Sequence, residues 1–194
     1  MFENLLKYKI VLASNSPRRK ELLQRLGLDF KVRTLLGVDE SYPKELKGEE
    51  IACFISAKKA EAYKTTMGED ELLITADTIV CTPEGEVLGK PIDAVNAHTM
   101  LRSLSGTTHK VITGVSLVTA ERTENFSVTS LVKFAQITDE EIKYYIDNYL
   151  PFDKAGAYGI QEWIGLVAVE EIHGSFFNVM GLPVQRLYTV LKTF

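Results

Sequence analysis

The run Leu72-Leu73-Ile74-Thr75-Ala76-Asp77-Thr78-Ile79-Val80 places a carboxylate inside a strand that its apolar neighbours predict to be buried. A carboxylate in that setting is costly unless it is paired, protonated or bound to a metal. Any fold for this chain must therefore supply Asp77 with a partner. One solution is structural, an ion pair or an edge position facing solvent. The other is chemical, a general base or metal ligand lining a cleft. The next segment bears on the choice. Thr82-Pro83-Glu84-Gly85-Glu86 reads as a hairpin turn into Val87-Leu88-Gly89-Lys90-Pro91. A turn centred on Glu84-Gly85 brings Lys90 to within one or two residues of the position opposite Asp77, where it could lower the pKa of Asp77 or bind a phosphate beside it.

Strand and helix signals interleave along the rest of the chain. Ile10 to Ala13 reads as a strand, followed by a helix capped by Ser16 with Pro17 at its first position and Gly27 as its stop. A strand near Phe30 to Thr34 precedes a polar loop, Gly37 to Pro43, and a helix from Glu49 to Met67, with Ile51, Ile55 and Ala62 setting its buried face. Asp93 caps a helix ending near Ser105-Gly106. Two long strands, Val111 to Thr119 and Phe126 to Ala135, are joined at Arg122 to Asn125. Thr138 opens a capping-box helix bearing Ile142, Tyr145, Ile146 and Tyr149. The stretch from Asp153 to Gln161 is too rich in glycine for a regular element. A strand around Leu166 to Val169 and a helix from Pro183 close the chain. Long hairpins beside strand–helix alternation imply an α/β domain with a mixed sheet over residues 1–194.

Composition narrows the function classes. The chain has 194 residues, 45% hydrophobic and 25% charged, with a net charge of −4. A general nucleic-acid coat is disfavoured by that charge, and only Arg18-Arg19-Lys20 leans the other way. Cys53 and Cys81 have neither disulfide nor zinc spacing and read as reduced core thiols. No apolar run approaches a membrane span, and MFENLLKYK lacks a signal-peptide core, so the cytoplasm is the expected compartment.

Other residues look chemical. Arg18, Arg19 and Lys20 occupy the positive end of a helix dipole, poorly placed for an empty protein and well placed for a bound polyanion. Glu40 beside Asp39 is solvated surface or the oxygen donor that a hard divalent ion takes from a loop. Of Lys58 and Lys59, one is expected to be solvated. Gln161 closes the glycine-rich stretch, where an amide could read a base edge or simply steady a turn. His98, His109 and His173 show no ligand spacing. Tyr144, Tyr145 and Tyr149 read as core or interface.

Taken in order, LASNSPRRKELL, VDES, AKKA, ITADTIV, GKPIDA, LSGTTHKVITGV, DKAGAYGIQ and GSFFNVMGLP resemble the Maf (septum formation protein-like) family of nucleoside triphosphate pyrophosphatases. The resemblance spans about Leu12 to Pro183. It implies an elongated α/β fold with a mixed twisted sheet and two lobes around a deep cleft, related to that of the inosine triphosphate pyrophosphatases. It also implies hydrolysis of a nucleoside triphosphate to the monophosphate and pyrophosphate with Mg²⁺ or Mn²⁺. On this resemblance Asp77 is the catalytic carboxylate, with Glu40 sharing the metal. Ser14, Arg18, Arg19, Lys59 and Lys90 bind substrate phosphates. Arg18, Thr78 and Gln161 shape the base pocket and are similar to the dTTP/UTP branch. The 7-methyl-GTP branch carries a tryptophan at the position of Arg18 and an acidic residue at that of Gln161. A homodimer is implied; a membrane partner or a stable nucleic-acid complex is not expected. The rivals are a nucleic-acid-binding or division-regulating protein without turnover, and a phosphatase acting on another metabolite.

Overall fold

The computed structural model describes residues 2–35 and 37–194; Met1 and Leu36 lie outside them. Strands β1 (Lys9–Leu12), β2 (Phe30–Val32), β3 (Glu71–Cys81), β4 (Val87–Leu88), β5 (Thr108–Val118), β6 (Thr123–Phe134) and β7 (Val169–His173) belong to one mixed sheet. Their order is β2-β1-β3-β5-β6-β7, with β4 paired to β3. Helices α1 (Pro17–Arg25), α2 (Glu49–Lys64), α3 (Ala94–Leu104), α4 (Asp139–Tyr149), α5 (Trp163–Val167), α6 (Phe176–Val179) and α7 (Val184–Leu191) complete the α/β fold.

The residues form two compact units. The first takes in Met1–Asp77, Thr113–Val128 and Gly181–Phe194, the second Thr78–Ile112 and Thr129–Met180. In the first, β1 pairs in parallel with β2 and with the start of β3, Leu12 lying beside Ile74. Val11, Ala13, Ala60, Tyr63, Leu73 and Val118 form a shared core there. In the second, β4 runs antiparallel to the end of β3, pairing Leu88 with Val80, and β7 runs antiparallel to β6. Both faces of β3 are covered along most of its length, with Leu72 to Ala76 all buried. That is why its sequence reads as a continuous apolar run rather than an alternation.

Several local expectations need correction. Ala62 is exposed, and the buried face of α2 is Ile51, Ala52, Ile55, Ser56, Ala60 and Tyr63. The strand expected at Leu166 to Val169 is displaced. Residues 163–167 are helical and the strand begins at Val169. The cause is local packing: Ile164 turns inward and Gly165 lies against the Ile160 carbonyl, so the backbone must coil before it can extend. The capping box at Thr138 and the caps at Ser16 and Asp93 form as expected. Cys53 is half-buried rather than core, and burial pushes its thiol pKa up.

Helix α2 is held very close to the sheet. A side chain at Gly114 in β5 would overlap the carbonyl of Ala52, and its Cβ would stand 2.6 Å from the amide nitrogen of Cys53. Hydroxyls fasten the same contact. Thr75 Oγ1 donates to the Ser56 carbonyl at 2.7 Å, and the Ser56 and Ser116 hydroxyls lie 3.0 Å apart. Gly114→Ala should therefore destabilise the protein by about 1–3 kcal/mol, the usual cost of overpacking a tight core. A fall in the urea midpoint checks this, and an unchanged midpoint would show that α2 can shift freely.

Candidate active site

The close seating of α2 on β3 brings Lys59 to Asp77. The Lys59 ammonium donates to Asp77 Oδ1 at 2.6 Å and lies 2.9 Å from Glu40 Oε1. Asp77 is 8% exposed, so the partner required by the sequence is Lys59. The next lysine does the parallel job outside. Lys58 Nζ donates to Asp39 Oδ2 at 2.6 Å and to the Ser41 carbonyl at 2.9 Å. Asp39 in turn accepts from the Ser41 amide and hydroxyl. These contacts hold the Asp39 carboxyl well below the usual carboxylate range. Consecutive lysines thus pin consecutive carboxylates of one loop, which fixes Glu40 above α2.

Around α1 the basic cluster separates. Ser16 caps the helix by accepting from the Arg19 amide. The Arg19 side chain folds back: its Nε donates to the Gly181 carbonyl at 2.8 Å and its Nη1 approaches Ser14 Oγ at 3.4 Å. Burial pushes the Arg19 guanidinium below its ordinary pKa, and Asp77 and Glu40 oppose that shift. Arg18 is half-buried, and Lys20 is exposed. The cations are therefore not one continuous basic patch, because the half-buried Arg19 guanidinium is engaged by Gly181 and Ser14.

Thr78, Lys90 and Gln161 fall in the second unit. Thr78 is half-buried, while Lys90 and Gln161 are exposed. The ladder stops at Leu88; carried two residues further, its register aligns Lys90 with Thr78, the neighbour of Asp77. Residues not singled out from sequence are prominent here. Lys154 is buried beside Glu162 at 3.0 Å, and Glu162 also accepts from the Tyr145 hydroxyl. Burial and the Glu162 carboxylate push the Tyr145 phenol pKa up, so it stays a donor. The available signal was a lysine embedded among Ala155, Gly156 and Ala157, where a charge has few ways to reach water.

Among the described residues no group of three or more His, Cys, Asp or Glu side chains is arranged to hold a metal. Asp77 and Glu40 nevertheless both aim a carboxylate oxygen at one cationic nitrogen within 3 Å. Two carboxylate oxygens converging on one cation suit a Mg²⁺-like ion that completes its shell with water and phosphate. The donor set fits such an ion.

Comparison with known proteins identifies the family and the fold. The chain is 60% identical over 194 residues to a protein of Parabacteroides distasonis named dTTP/UTP pyrophosphatase, with 100% of both chains covered. It is 52% identical to a protein of the same name from Porphyromonas gingivalis, covering 100% of this chain and 98% of that one. Among solved structures, a HAM1 protein from Coxiella burnetii shares the fold at 14% identity with a TM-score of 0.51, over 96% of this chain and all of that one. The Maf-like protein profile matches residues 9–194, and with the ion pairs of Asp77, Lys59 and Glu40 sitting inside its span, the chain belongs to the Maf family.

Proposed function

We propose that this chain is a nucleoside triphosphate pyrophosphatase that converts dTTP and UTP, or modified pyrimidine relatives, to the monophosphate and pyrophosphate. Such an activity keeps unwanted nucleotides out of nucleic acids. The observation that carries the reading is the convergence of the buried Asp77 and the exposed Glu40 on Lys59, in a chain whose full-length relatives bear that enzyme name. Its setting is proposed to be the cytoplasm; among the described residues no helix is long and apolar enough to cross a membrane.

The chemistry follows from the charges. The N-terminal end of α1, with Ser14 and Arg18, attracts the triphosphate, since helix dipole and guanidinium act together on an anion. Arg19, already desolvated and oriented by Gly181, acts at a fixed position and loses little freedom on binding. Asp77 accepts the proton of a water as its oxygen attacks the α-phosphorus. The bond from that phosphorus to the bridging oxygen breaks, and pyrophosphate leaves with the negative charge. Lys59 can turn from the carboxylates toward the phosphates and offset that charge. A divalent ion held by Glu40 and Asp77 would supply further neutralisation of the phosphate oxygens. Lys90 is assigned to the phosphates, and Thr78 and Gln161 to the base.

The basic cluster does not favour the nucleic-acid alternative, because the Arg19 guanidinium is already engaged by the Gly181 carbonyl. Binding of that kind also requires no carboxylate at Asp77.

Asp77→Asn should lower the rate of pyrophosphate release from dTTP by about 10²–10⁴-fold, the contribution expected of a positioned base. Turnover at the wild-type rate in a folded variant would remove Asp77 from the chemistry. Stripping divalent ions with a chelator should abolish turnover, and Mg²⁺ or Mn²⁺ should restore it. At equal metal, dTTP and UTP should outrank CTP, GTP and 7-methyl-GTP in kcat/KM. A preference for 7-methyl-GTP would overturn the pyrimidine assignment, and orthophosphate as the product would replace the reaction class.

A further inference from the structure

The segment from Asp153 to Gln161, in the second unit, has only a short 3₁₀ turn at Ala155–Ala157 and is tied by several polar contacts. Gly156 and Ala157 sit in succession at φ of 68° and 60°, a left-handed conformation that costs a residue with a Cβ energy. Ala157 is fully buried, so this strained backbone is held by its surroundings rather than by solvent.

The hold is a closed chain of polar contacts. Lys154, 7% exposed, donates to Asp153 Oδ1 at 2.8 Å and pairs with Glu162 Oε1 at 3.0 Å. The other oxygen of Glu162 accepts from Tyr145 in α4, and the Tyr145 hydroxyl accepts from the Gly159 amide at 2.9 Å. Space for this arrangement is reserved by sequence. A Cβ at Gly159 would stand 2.8 Å from the Glu162 carboxyl carbon and 3.0 Å from Lys154 Cε. Two further anchors flank it. The Gly156 amide donates to the Gly89 carbonyl at 3.0 Å, and Tyr158 meets His109 Nε2 at 2.8 Å.

We propose that the buried Lys154–Glu162–Tyr145 network is a positioning device for nucleotide selection, because it locks the backbone between the residues preceding Lys90 and Gln161. The network reaches Glu162, and the adjoining Gly156–Gly89 backbone hydrogen bond extends the hold to Gly89. Glu162 follows Gln161 in the chain, and Gly89 precedes Lys90. An exposed amide such as Gln161 reads a base edge with useful discrimination only if its backbone does not move. A fully satisfied buried network supplies that rigidity, whereas a half-satisfied one loosens the whole segment. The inference rests on the base-reading role proposed above for Gln161.

The test compares Tyr145→Phe, Glu162→Gln, Lys154→Arg and Gln161→Ala by kcat and KM for dTTP and CTP, with thermal unfolding alongside. Tyr145→Phe and Glu162→Gln should raise KM for dTTP by roughly tenfold and narrow its advantage over CTP, with kcat little changed; that is the order of effect expected when one or two buried hydrogen bonds are lost. Lys154→Arg keeps the charge and should retain the wild-type preference. Lower melting temperatures with an unchanged dTTP-to-CTP ratio in both network variants would make the network merely structural and overturn the proposal. If the network variants shift the ratio while Gln161→Ala does not, the base-reading role of Gln161 and the positioning proposal built on it are overturned. A wild-type chain that releases no pyrophosphate from dTTP overturns both readings.

Discussion

The ion pair between Lys59 and Asp77 is the constraint around which the first unit is organised. A carboxylate inside a covered strand requires a cation, and the cation requires a helix close enough to deliver it. Gly114 lets α2 approach to backbone contact, and the Thr75, Ser56 and Ser116 hydroxyls fix that approach. The same ammonium then reaches Glu40, so one side chain joins strand, helix and loop. Packing and site geometry are here a single problem with a single solution.

The arrangement also explains why the site is built for exchange of partners. Lys59 pairs with two carboxylates, and both have lone pairs that would suit a hard cation. In the proposed mechanism, a nucleotide arriving with a divalent counterion would offer each group a new partner of opposite charge, the ammonium following the phosphates as the carboxylates took up the ion. Lys58, bound to Asp39 and Ser41, keeps the loop in place meanwhile.

Much of this was legible in the sequence because the signals were local. The apolar flanks of Asp77 announced a buried acid, Ser16-Pro17 announced a helix start, and Thr138 with Glu141 announced another. What stayed hidden depended on distant residues. That Lys59 rather than Lys58 turns inward follows from where α2 meets β3, and the periodicity around Ala62 misjudged that face. The displaced strand near Val169 depended on Gly165 meeting Ile160, a contact that hydropathy does not report. The inward fold of Arg19 depended on Gly181, and in sequence its cluster looked like surface. Lys154 is hidden in the sequence because a polar, glycine-rich stretch resembles a loop, although most of it is buried.

The contact of Arg19 with Gly181 has a consequence for how the protein is made. The first unit is discontinuous in the chain and closes only with its last fourteen residues, 181–194. Those residues give Arg19 its acceptor, bury Leu187, Val190 and Leu191, and take hydrogen bonds from Asn4 and Arg122. Every candidate site residue precedes Gly181. During synthesis from the N-terminus, a chain paused before that glycine carries the full set of reactive groups and lacks the segment that orients one of them. The placement of Arg19 is thus completed by residues that lie outside the candidate site and far from it in the chain.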